Sequence, residues 1–156
     1  MAKVKVLPET ARAHYEQDLF AWTQEQAQIL RTRGTLGLDW DNLAEEIASM
    51  GRRDRRKLEG RLRRILHHLL KWQVQPGLRG PSWRNTLIEQ RRRAEKLLEE
   101  SPSLRSHLWE LVGEAYPDAV RDAVHESGLR PQAFAADCPF TVEQILDSEY
   151  FPEDDV

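Results

Sequence analysis

"WDNLAEEIASMGRRDRRKLEGRLRRILHHLLKW", residues 40 to 72, decides the fold, because an apolar stripe runs through it without losing its phase. Trp40, Leu43, Ala44, Ile47, Leu58, Leu62, Ile65, Leu69 and Trp72 fall on one side of a helix when a 3.6-residue turn is carried through. The phase survives Gly51 and Asp54, so the spacing predicts one continuous helix of about 35 residues rather than two helices joined by a turn. Asp39 stands where an N-cap belongs. A kink at Gly51 is the one departure the pattern leaves open.

Upstream, Tyr15, Leu19, Trp22, Ile29 and Leu30 predict a helix over 14–33, closed by Gly34 as a left-handed cap. Downstream, Pro76, Gly77, Gly80 and Pro81 mark a loop. Ser82 then caps a third helix with Trp83, Leu87, Ala94, Leu97 and Leu98 inside, antiparallel to the second. "SPSL" at 101–104 starts a fourth helix through Leu104, Leu108, Leu111 and Ala115, which Pro117 should kink and Gly128 should end. Thr141 and Gln144 in "TVEQILD" have capping-box spacing and predict a short last helix. Only "VKVL" at 4–7 alternates like a strand, and it is too short to build a sheet. The expected fold is all-α: an antiparallel four-helix bundle with a long second helix and a short C-terminal helix. Residues 1–13 read as a flexible extension, 14–152 as a single domain and 153–156 as an acidic tail.

Composition agrees with a soluble globular chain. It has 156 residues, 40% hydrophobic and 31% charged, which is enough to bury a core without a metal or a disulfide. Cys138 is the single cysteine, no secretory leader pattern appears, and no apolar run nears the roughly 20 residues that cross a bilayer. A cytoplasmic location is expected. The net charge of -3 conceals a strong asymmetry, because residues 50–96 hold 15 basic and four acidic side chains and residues 97–156 hold three and 14. Either the basic middle faces an anionic partner, or the acidic C-terminal part packs beside it.

The densest basic run is "RRDRRKLEGRLRR" at 52–64. Arg52, Arg53, Arg56, Arg63 and Arg64, widened by Arg91 and Arg92 of "QRRR" at 90–93, are the candidate phosphate-binding residues, although a solvated helix face explains such a run equally simply. Gln26, Asp54 and Gln90 interrupt the apolar stripes, with Arg61 and His68 at their edge. Buried, these need partners, and an internal network is the ordinary solution. As an alternative, His68 with Asp54 or Glu46 would form a weak acid–base site in a polar pocket. His67 and His68 are adjacent and diverge on a helix, so no metal is expected, and no phosphate-loop or dinucleotide motif points to a cofactor. Trp72 and Trp83 bracket the hairpin and read as core, or as a partner-binding surface if exposed.

"LDWDNLAEEIASMGR", "HLLKWQVQP", "SWRNTLIEQRR" and "CPFTVEQILD" occur here in that order. Together with flanking stretches from Tyr15 to Pro152, they resemble the bacterial and cyanobacterial family called domain of unknown function 29. The resemblance implies an all-helical fold and a prokaryotic origin, and it brings no activity or ligand with it. This chain departs from the family at His67, where relatives tend to be apolar, which favours His68 over His67 as a site residue.

Three functions follow in order. The first is a non-enzymatic interaction module with a protein partner or a second copy of itself, which requires a large exposed apolar patch. Nucleic-acid binding requires the arginines to form one uncovered face. An enzyme, third and less expected, requires an open polar pocket at Asp54 and His68.

Overall fold

The computed structural model describes residues 15–153, and among these there are helices and turns but no strand. The principal helices are α1 (Leu19–Arg31), α2 (Trp40–Val74), α3 (Pro81–Glu100), α4 (Leu108–Ser127) and the short α5 (Val142–Leu146). The proposed start of the first helix at residue 14, the extension 1–13 and residues 154–156 of the tail lie outside the described residues. The chain falls into two compact units, one ending at Arg52 and the other beginning at Arg53, so the boundary lies inside α2.

α2 is the continuous 35-residue helix that the unbroken stripe predicts. Asp39 caps it, with Oδ1 accepting from the Asn42 N–H at 3.4 Å. α1 is shorter than expected. Residues 15–17 are helical, but Asp18 leaves helical geometry and accepts from the Ala21 N–H at 2.9 Å, which restarts the helix at Leu19. Its left-handed residue is Arg33 at φ 56°, not Gly34. The N–H groups of Arg33 and Gly34 reach back to the carbonyls of Leu30 and Ile29, the paired bonds of a Schellman end. A Cβ at Gly34 would stand 3.3 Å from Ile29 Cγ2, a tight contact to which the Ile29 side chain would have to yield.

Two further helix starts differ from the sequence expectation. α3 begins at Pro81 behind Gly80, because proline's preset φ suits the first helical position, and Ser82 lies inside. After Ser101, residues Pro102–His107 wind as a 3-10 turn and α4 starts at Leu108. Ser106 Oγ bonds the Ser103 carbonyl at 2.8 Å, a local bond that competes with an α-helical turn. Pro117 lies within a single α4, which keeps Ala115, Tyr116, Ala119 and Ala123 buried. Gly128 ends it at φ 70°, and both bonds of the Thr141–Gln144 capping box are present.

The second unit is built on one core in which Leu58, Leu62, Ile65 and Leu69 of α2 meet Leu87 and Leu98 of α3, Leu111 and Ala115 of α4, and Ile145 of α5. Polar pairs give the helix directions. Arg55–Glu114, Arg63–Asp122 and Lys71–Glu126 advance together, so α2 and α4 run parallel. Arg61 with Gln90, Trp72 with Arg84 and Lys71 with Trp83 run in opposite order, so α3 is antiparallel to α2. Arg91, buried in α3, donates to the carbonyls of Ile145, Gln144 and Tyr150 at 2.8, 3.1 and 2.8 Å and clasps the C-terminal segment to the unit.

The first unit has a small interior. Among its described residues the buried apolar side chains are Trp22 and Leu38, beside buried Gln26 and Asp39. Gln26 Oε1 accepts from the Asp39 N–H at 2.9 Å while its amide donates to the Gly37 carbonyl at 3.2 Å. Trp22 Nε1 and Asn42 Nδ2 both donate to Asp39 Oδ2. All of these polar groups are satisfied, and together they set the turn from α1 into α2.

Candidate functional site

The catalytic candidates are not brought together. Asp54 and His68 stand 14 residues apart on one helix, about 21 Å along its axis. Asp54 lies half-exposed and pairs with Lys57 at 3.8 Å, while Glu46 accepts from the Tyr15 hydroxyl at 2.7 Å within the first unit. His68 instead joins a cleft of about 630 Å³ between α2 and α4, lined by Arg64, His67, His68, Asp122, His125 and Glu126. Its Nδ1 lies 2.9 Å from the Arg64 carbonyl, which only accepts, so Nδ1 carries the hydrogen.

Burial lowers the His68 imidazole to about 4, chiefly because the low-dielectric surroundings disfavour the cation. Burial lowers His67 too, aided by the Lys71 ammonium. His67 Nε2 comes within 2.7 Å of Glu126 Oε2 but without hydrogen-bond alignment. Lys71, itself buried, donates to Glu126 Oε1 at 2.8 Å and holds that carboxyl below its ordinary value. The cleft is therefore a self-compensating ion network in which burial keeps His67 and His68 neutral near neutral pH. Among the described residues no group of His, Cys, Asp and Glu side chains converges as a metal site.

Of the candidate phosphate-binding arginines, Arg52, Arg63, Arg91 and Arg92 have partners within the protein. Arg63 grips Asp122 with two hydrogen bonds and approaches Asp118, and Arg55 grips Glu114 in the same forked manner. Arg52 pairs with Glu45, Arg92 with Glu89, and Arg91 is inside the protein on its three carbonyls. Arg56 and Arg64 are exposed, as is Arg53, which also has an interaction of its own. At Arg55 and Arg63 the acidic C-terminal part neutralises the basic middle.

Trp72 and Trp83 serve the hairpin. Trp72 is buried against Phe151 at 4.8 Å with the Arg79 and Arg84 guanidinium groups over its ring, and the Lys71 ammonium stands 4.6 Å from the Trp83 ring. Trp40 departs from the core expectation. It is 58% exposed, and Ile47 and Met50 on the same helix are 68% and 59% exposed. The stripe that is fully covered from Leu58 onward is thus uncovered over its first three turns. Phe20 and Leu36 are exposed as well, and seven of the eleven exposed large apolar side chains among the described residues lie between Leu19 and Met50. Met50 was missed by the 3.6-residue reading, although it continues the Trp40, Leu43, Ile47 series at coiled-coil spacing.

The pattern of the family described as "Domain of unknown function DUF29" matches residues 14–151. The chain belongs to the DUF29 family. That match covers both units and includes the exposed stripe as well as the His67–Glu126 cleft. No curated protein and no solved structure matches the chain. No helix among the described residues is long and apolar enough to cross a membrane.

Proposed function

We propose that this DUF29 chain is a helical interaction module whose binding surface is the first part of α2. The observation that carries this reading is the exposure of Trp40, Ile47 and Met50 on one face of α2. Monomeric proteins seldom leave contiguous apolar surface of this kind to water, because covering it gains about 25 cal/mol per Å². An aromatic with two long aliphatic side chains also has the composition of an interface centre. In this reading residues 14–152 act as one domain and the helices form the antiparallel four-helix bundle expected from the sequence, an arrangement supported by the alternating directions of α2, α3 and α4.

A photo-crosslinking side chain at Ile47, compared in living cells with the same group at exposed Glu99, tests the proposal. Discrete adducts at position 47 that are missing at position 99 are expected. Equal or empty lanes at both positions would overturn it.

A further inference from the structure

We infer that the second unit carries a binding site for a compact phosphate oxyanion, a diphosphate group that is free or carried on a small molecule, in the depression between α2 and α3. It is independent of the apolar face, since every residue in it lies in the second unit. The depression holds about 200 Å³ and is lined by Lys57 and Arg61 of α2 and by Arg93, Lys96, Leu97 and Glu100 of α3, four cations against one carboxylate. Arg61 is half-buried. Gln90, itself buried, accepts from Arg61 Nη1 at 3.2 Å, which anchors the guanidinium without neutralising it. A guanidinium has several coplanar N–H donors, so the bond to Gln90 leaves others for a pair of phosphate oxygens. Among the described residues neither Arg61 nor Lys96 forms an ion pair.

The surrounding acids set the size of the occupant. Arg93 shares Glu89 with Arg92, and Lys57 lies 3.8 Å from Asp54 in an exposed pair that contributes little. Because α3 runs antiparallel to α2 with Arg61 beside Gln90, Glu89 stands at the Arg61 end of the depression and Glu100 toward its Lys57 end. These two carboxylates are 11 residues apart on α3, about 16 Å along its axis. A nucleic-acid strand laid along the helices would carry its phosphates past both of them, which like-charge repulsion disfavours. A diphosphate group fits between them and reaches cations on both helices. There the lysines supply charge, and the half-buried fork of Arg61 supplies orientation at a point less screened than an open helix face.

The test is isothermal titration calorimetry of the full chain with sodium pyrophosphate in metal-free buffer at low ionic strength, repeated with ADP. Wild type is expected to bind one equivalent saturably. Lys96→Glu, at an exposed position, should weaken binding about tenfold or more, whereas Arg130→Glu, an equal change of net charge outside the depression, should leave it within about twofold. Arg61→Lys keeps the charge and loses the fork, so affinity should fall there too. Far-UV circular dichroism establishes that the variants are folded, and the wild-type result stands without them. ADP that occupies the same equivalent assigns the diphosphate to a nucleotide, and pyrophosphate binding without ADP binding assigns it to the free anion. No saturable binding of either by wild type overturns the inference. So does an equal loss in Lys96→Glu and Arg130→Glu, which would mark the net charge of the chain rather than this depression, or binding that Lys96→Glu leaves unchanged.

Discussion

Arg63 holds Asp122 through two hydrogen bonds, Nε to Oδ2 at 2.6 Å and Nη2 to Oδ1 at 2.7 Å, joining the basic run of α2 to the acidic face of α4. The fork is directional, but both side chains keep over a third of their surface in water. Arg63→Ala should therefore cost only about 1 kcal/mol, and Asp122→Asn a similar amount. Urea titration of both single variants and the double variant should give a coupling energy of that size.

Arg55 and Arg63 are held by carboxylates of α4 and Arg91 by three carbonyls, which withdraws these three cations from the basic middle. Labelled mixed-sequence DNA or RNA should show no saturable anisotropy change at low salt. Steeply salt-dependent binding that disappears when Arg52, Arg53, Arg56 and Arg64 are neutralised would reinstate a phosphate-binding surface.

Acid should destabilise the second unit through His68. The unfolded imidazole takes a proton near 6.5 and the folded one only at about 4, so unfolding consumes a proton between these values and stability falls as pH drops through that window. Fully traversed, the window is worth roughly 3 kcal/mol. Burial lowers His67 in the same direction, and Asp122 and Glu126, held low by Arg63 and Lys71, extend the loss to more acidic pH. His68→Asn keeps a donor for the Arg64 carbonyl without the titration, so its denaturant midpoint should depend less on pH above about 4.5.

Arg91 supplies a second stability test. Arg91→Met strips three carbonyls of their donor, and a loss of about 2–4 kcal/mol is expected. Arg91→Lys should not rescue it, because an ammonium lacks the planar fork. Hydrogen exchange over residues 141–152 should accelerate in both variants before the rest of the unit changes.

In the first unit, Gln26→Ala removes both Gln26 bonds to the Gly37–Asp39 turn and leaves the Trp22–Asp39 bond. A loss of about 1–3 kcal/mol is expected, with exchange rising first at residues 35–39. Unchanged exchange there would show that Trp22 and Asp39 hold the turn alone.

Much of the architecture was legible in the residues themselves. The phase kept through Gly51 specified one 35-residue helix, Gly128 specified a left-handed end, and Thr141 with Gln144 specified a capping box, because each signal acts within a few residues of chain. Short-range competition explains where the boundaries moved: Asp18 caps inside the expected first helix, and the serines after Pro102 favour a tighter turn. The polar stripe residues were legible as a kind and not as pairs. Gln90 meets Arg61 and Gln26 meets Asp39, whereas Asp54 remains near solvent.

The sequence by itself determined where the helices run and which face of each is apolar, since both depend on local periodicity. Whether a given apolar face is covered depends on what another part of the chain brings to it, and periodicity carries no record of that. Leu58 and Ile47 belong to the same stripe, yet α3, α4 and α5 close over the first and leave the second in water. The same reason applies to charge. Only the tertiary structure decided that Arg63 would spend its guanidinium on Asp122, 59 residues away, while Arg53, Arg56 and Arg64 of the same run stayed exposed.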